Sequence, residues 1–276
     1  MKKINASIVK LTISILIILI LSAFTACSSN SVDVLETVES PEYVEDSKIE
    51  ITSISILSAL EPIKFGKYPQ TIDEEAQVTI NKNSQGYFAG SNLNYYAYKN
   101  HHYYKVEDVL WDAFELENGN ILLVSQDILY TVRYDDYEDY FENEAKIFDF
   151  NGFMFTQAEE ERIQSTGVKY DFRMQMSVSV STTMFLLNYE QLTQLYPTTS
   201  KVLKNPTDYA AANLDVNEYG NASWWLAPKK GKNIYVSDLG AISNKNNTYI
   251  EIDGDFAHIK YAVRGMVPAM IISSND

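Results

Sequence analysis

The chain has 276 residues, 46% of them hydrophobic, and sets 37 acidic residues against 22 basic ones for a net charge of −15. So acidic a balance excludes nucleic acid and anionic lipid headgroups as partners, since their phosphates would be repelled. The single cysteine, Cys27, excludes an internal disulfide, so stability must come from an ordinary core.

Lys2 and Lys3 open the chain, and an apolar run from Leu11 to Leu21 is broken only by Thr12 and Ser14. The run is short for a bilayer span and has the layout of a secretory signal, with an uncleaved N-terminal anchor as the alternative. Phe24-Thr25-Ala26-Cys27 closes it and resembles the lipobox of bacterial lipoproteins, with Phe24 in place of the usual leucine. That resemblance implies lipidation of Cys27, which would then be the mature N-terminus and would tether the protein to the membrane on the extracytoplasmic side of the bacterial envelope. Without residues 1–27 no thiol remains for catalysis or metal ligation, and 19 basic residues face 37 acidic ones, a net charge of −18. Ser28 to Lys48 carries Asp33, Glu36, Glu39, Glu42, Glu45 and Asp46 with few bulky apolar residues and reads as an acidic tether. One domain is expected over residues 49–276.

Within it, Gly86 to Tyr104 is rich in tyrosine, with Tyr95, Tyr98 and Tyr103 the candidate ligand contacts. Tyrosine offers contact area with a polar tip, which suits glycan or protein recognition, although alternating aromatics also cover a sheet face. His101 and His102 are adjacent, and adjacency does not bring two ligands to one metal from either a helix or a strand. Leu110–Leu116 and Ile121–Ser125 flank Asn118-Gly119 and predict a hairpin. Tyr134 to Glu144 holds six carboxylates in eleven residues; calcium is the one cofactor such a loop suggests, and a solvated acidic loop is the plainer reading.

Thr156 with Glu159 forms a capping box for a helix reaching about Gln164. Phe172 to Ser181 alternates apolar and polar and predicts a strand. Asn188 to Gln191 starts a second helix that Pro197 stops near Tyr196, and a third is expected over Thr207–Asn213. Further strands are expected at Ile234–Val236, Thr248–Ile252 and Val267–Ile272, with a turn at Asp253-Gly254. Short helices among many strands make an α+β domain with a mixed, mostly antiparallel sheet.

Trp224 and Trp225 are adjacent. In a strand they point to opposite faces, so one ring enters the core while the other meets a second layer or a ligand. With Lys229, Lys230 and Lys232 close by, Trp224, Trp225, Lys229 and Lys230 join the candidate ligand-binding residues. No His-Glu-x-x-His or Gly-x-Ser-x-Gly occurs, so no catalytic residue is assigned, and no metal ligand is assigned either.

Six segments in order resemble the bacterial domain-of-unknown-function family 6273. They are Phe65-Gly66-Lys67-Tyr68-Pro69-Gln70; Trp111 with Ile121 to Ser125; Phe153 to Ile163; Phe185-Leu186-Leu187-Asn188 with Glu190; Trp224-Trp225-Leu226; and Gly265-Met266-Val267-Pro268-Ala269. The resemblance implies a C-type-lectin-like fold. Ala227 and Val267 stand where the family carries arginines, and Arg264 lies three residues before Val267. Formylglycine-generating enzymes share that fold but act through cysteines, which are absent after Cys27.

The leading expectation is therefore a lipid-anchored, non-catalytic module that binds a glycan or a protein. A glycan hydrolase is the second reading, with carboxylates among Asp135–Glu144 or Asp253 and Asp255. An interaction subunit with a decayed pocket is the third, as Ala227 and Val267 would allow.

Overall fold

A computed structural model describes residues 49–50, 54–83, 86–91, 94–133, 154–171, 177–198, 202–227, 235–243, 249–252, 255–258 and 263–274. Cys27, the expected signal and tether, Lys229, Lys230, the acidic run at 134–144 and the turn at 253–254 lie outside the described residues. In chain order the first strands are β1 (Ile49–Glu50), β2 (Ile56–Ile72), β3 (Val78–Lys82), β4 (Phe88–Gly90), β5 (Tyr95–Lys99), β6 (His102–Leu116), β7 (Ile121–Ser125) and β8 (Tyr130–Arg133). Then come α1 (Gln157–Glu160), β9 (Thr166–Asp171), β10 (Ser177–Thr182), α2 (Tyr189–Leu195) and α3 (Asp208–Ala211). The last are β11 (Trp224–Trp225), β12 (Tyr235–Val236), β13 (Ile242–Ser243), β14 (Tyr249–Ile252), β15 (Asp255–His258), β16 (Val263–Met266) and β17 (Ala269–Ile272). Many strands with three short helices among the described residues agree with an α+β class.

The largest sheet has the order β17-β7-β6-β5-β4-β3, with β2 added on the other edge of β6. β6 is its spine: fifteen residues long, it pairs with β2 along one edge and passes from β5 to β7 along the other. The expected hairpin is the β6–β7 turn, where Gly119 takes φ +80 and its N–H donates to the Leu116 carbonyl at 2.9 Å. β2 contains Pro62 and Pro69, which it tolerates because it is an edge strand with four register shifts against β6. One shift lies between Leu60 and Ile63, so Glu61 and Pro62 bulge out of the ladder there.

Gly66 sits at another shift with φ +69, where a side chain is strained. A Cβ there would also come within 2.6 Å of the Phe155 ring. The Gly66 N–H donates to Glu159 Oε1 at 2.8 Å, while Glu159 Oε2 accepts from the Thr156 N–H at 2.8 Å. The capping-box carboxylate thus ties α1 to β2. Phe65 is buried beside Phe155, and its carbonyl accepts from Trp111 Nε1 at 2.8 Å.

A second sheet runs β13-β12-β11-β16-β8, with β11 parallel to β16 and antiparallel to β12. A three-stranded sheet, β1-β9-β10, and the β14–β15 pair complete the strands. All described residues belong to one unit, Asp46–Asp276.

Several expected elements differ in detail. Of the expected strand at Phe172–Ser181, the part from Ser177 onward is β10, with Ser177 opposite Asp171 of β9, and residues 172–176 lie outside the described residues. α1 ends at Glu160 rather than Gln164, because the Gln164 N–H leaves for the Ile271 carbonyl at 2.8 Å. α2 starts at the Asn188 capping box and stops before Tyr196, and α3 is capped by Thr207. The final strand begins at Ala269 because Pro268, just before it, has no N–H to donate.

Candidate functional site

Four chain segments bring their polar side chains to one cleft. Asp112 of β6 pairs across the hairpin with Val124, so Gln126, two residues on, lies on the same face, and its Nε2 donates to Asp112 Oδ1 at 2.8 Å. Tyr196 caps the end of α2, its ring set edge-on against Phe114 at 5.8 Å, and its hydroxyl donates to Asp112 Oδ2 at 2.6 Å. Lys204, in the segment before α3, is 4% exposed. Its ammonium donates to Asp112 Oδ2 at 3.3 Å and to the Ser125 carbonyl at 2.9 Å, and lies 5.1 Å from the Tyr196 ring centre.

These groups floor a cleft of about 580 Å³. Its walls are Ala59–Pro62 of the β2 bulge, Leu195 and Tyr196, and Leu203 to Asn205, with Asp127 beside the floor. Burial would raise the Asp112 carboxyl, but the Lys204 ammonium and the bonds from Tyr196, Gln126 and Lys204 outweigh it and hold Asp112 below the usual carboxylate range. Burial pulls Lys204 down from the ordinary lysine value, against the opposing pull of Asp112 and Asp127, and pushes the Tyr196 phenol far up with help from Asp112. Asp127 is different. Burial raises it, Lys204 opposes, and Asp112 adds to the rise. Its carboxylate accepts no hydrogen bond from the described residues.

The residues expected to bind ligand do not gather here. Trp224 and Trp225 do point to opposite faces of β11, but both faces are covered and both rings are fully buried. Trp224 Nε1 donates to the Val202 carbonyl at 3.1 Å and Trp225 Nε1 to the Val132 carbonyl at 3.2 Å. Neither ring has a surface left for a ligand, which corrects the binding role expected for the pair. Arg264 lies over the Trp225 ring at 4.8 Å and over Tyr235 at 3.8 Å, so it serves as a cationic packing partner in that layer. Ala227 and Val267 are buried as well.

Tyr98 and Tyr103 are opposite each other on β5 and β6, with ring centres 4.9 Å apart, and Phe88 meets Tyr103 edge-on at 6.0 Å. Tyr98 is 52% exposed and Tyr95 42% exposed. Three residues apart on one strand, Tyr95 and Tyr98 face opposite sides of the sheet and cannot form one shelf.

Sequence reasoning missed the cleft. Asp112, Tyr196 and Lys204 are 84 and 92 residues apart and match no motif. The available signals were Asp112 between Trp111 and Ala113 on an apolar strand, and a lysine beside Leu203. Among the described residues no group of three His, Cys, Asp or Glu is placed to hold a metal, and no helix is long and apolar enough to cross a membrane. No family model matches the chain, and no curated protein or solved structure matches it either.

Proposed function

We propose that this is a lipid-anchored, extracytoplasmic binding module that performs no chemistry and holds a polar ligand, such as a glycan segment, in the cleft above Asp112 and Lys204. The anchor rests on the Lys2 to Cys27 pattern, and the C-type-lectin-like fold rests on the six-segment resemblance to family 6273. The observation that carries the binding reading is the cleft. It is about 580 Å³, within the size range of small-ligand sites, and its floor is a bonded array of Asp112, Tyr196, Gln126 and Lys204 that needs no rearrangement to receive a ligand. Gln126 and Asn205 bring amides, and Asp127 an acceptor with no donor among the described residues, for hydroxyl groups to meet.

Thermal unfolding of the full-length chain in detergent, against a panel of glycans and cell-wall fragments, tests this. A ligand at a hundred times its Kd adds about 2.7 kcal/mol of stability. Leu60→Trp, on the exposed wall of the cleft, is expected to abolish that shift while leaving the unliganded midpoint in place. A shift that survives Leu60→Trp places the ligand elsewhere and overturns this reading.

One observation favours a glycan hydrolase as the second reading. Asp112 and Asp127 share one cleft, with Asp112 held low and Asp127 pushed up, the division a glycosidase needs between base and acid. Release of reducing sugar from those fragments, lost in Asp127→Asn, would select it over pure binding.

A further inference from the structure

We infer, resting on the polar-ligand reading above, that the cleft selects a ligand carrying a primary ammonium group, an amino sugar being the simplest form, with Asp127 as its counter-charge and Glu61 as the outer guide. Charge balance among the groups that face the cleft favours a cation. Among the described residues five titratable side chains line it: Glu61, Asp112, Asp127, Tyr196 and Lys204. Asp112 and Lys204 neutralise each other at 3.3 Å, and Asp112 also accepts from Tyr196 at Oδ2 and Gln126 at Oδ1, so its charge is already compensated before a ligand's cation arrives. Tyr196 is a neutral phenol whose proton is already donated.

That leaves two carboxylates. Asp127 is partly buried and accepts no hydrogen bond from the described residues, so it bears a desolvation cost that nothing nearby repays in full. Glu61 is exposed at the mouth, displaced there by the β2 bulge. An anionic ligand would meet two uncompensated like charges. A neutral sugar would cover Asp127 with hydroxyl donors alone. An ammonium group gives Asp127 a charge-assisted donor, the stronger kind of bond. Lys204 also acts on Asp127, but Asp112 already neutralises it.

The test is calorimetric titration of the full-length chain in detergent, near neutral pH, with glucosamine and N-acetylglucosamine, which differ in whether the nitrogen is charged. Glucosamine is expected to bind at least about tenfold tighter. Asp127→Asn, which removes a charge and no hydrogen bond, is expected to erase that preference without lowering the thermal midpoint. Glu61→Gln, on an exposed residue with no packing role, is expected to reduce the preference about two- to threefold by the loss of one screened charge. Equal affinities for the two sugars, or a preference that survives Asp127→Asn, overturns this inference and leaves the polar-ligand reading intact. If neither sugar binds but neutral glycans shift the unfolding midpoint through the Leu60 wall, the inference alone fails. If nothing binds there, both fail.

Discussion

Replacing Lys204 by methionine would leave the Asp112 carboxylate facing the cleft without its cation, a change that costs about 3–5 kcal/mol in buried pairs. Asp112 keeps some solvent, with its side chain 24% exposed, so the low end of that range is expected in urea unfolding. Tyr196→Phe, which deletes only the hydroxyl bond to Asp112, should cost about 1–2 kcal/mol by the same measurement. The two aspartates respond to pH with opposite sign. Asp112 is lowered in the folded state, so its stabilisation is complete above the unfolded carboxylate value of about 3.9 and is lost as pH falls through the folded value. Asp127 is raised, so the folded state holds its proton to higher pH than the unfolded chain, and ionising it weakens the fold as pH rises. Asp127→Asn should therefore unfold at higher urea than the native chain near neutral pH, and the gap should close below about pH 3, where the carboxyl is protonated in both states. Denaturation series at the two pH values check this. None of these residues announced itself in the sequence, because a site defined by approach in space leaves no spacing to read.

At the level of elements, the turn and cap signals were legible because each is local. Asn118-Gly119 specifies its hairpin, Thr156 and Asn188 specify their helix starts, and all three depend on contacts within four residues. β2 was not legible. Its four register shifts and two prolines break the period-two pattern, so seventeen residues of strand look like loop. β11, β12 and β13 are two residues each and too short to carry any periodicity. The Phe65-to-Gln70 segment is instead readable backwards from the structure: Phe65 receives Trp111, Gly66 bends under Phe155, Tyr68 meets Tyr209 edge-on, and Gln70 donates to the Glu107 and Asp108 carbonyls. Gly66→Ala combines a left-handed backbone with a clash against Phe155. It is expected to cost about 3 kcal/mol, whereas Gly119→Ala, with open space around it, should cost about 1–2 kcal/mol; comparing the two unfolding midpoints isolates the packing part.

Across the whole molecule, the adjacent tryptophans join the layers on either side of β11 rather than facing outward. Trp225→Ala should lower stability by about 3–5 kcal/mol with or without any ligand, in equilibrium unfolding, since it empties space between the Val132 backbone, Tyr235 and Arg264. A ligand-dependent loss with an unchanged unliganded fold would contradict that. The class of the fold was legible from the mixture of short helices and strands, but the pairing of β11 with β16 was not, since Trp224 lies far along the chain from its partner Gly265 and the partnership is set by the surrounding sheet.

β17 has a temporal consequence. It lies against β7 and is also held by bridges from Ile163 and Phe185, all four of its residues buried. A growing polypeptide therefore cannot close its largest sheet until residue 272 has been made and freed, however early β2, β6 and β7 have met. Chains halted before Ala269 should remain open to protease while those reaching Ile272 become resistant, a lag visible in a time course of synthesis. Such a chain stays threadable through a narrow passage until β17 is available.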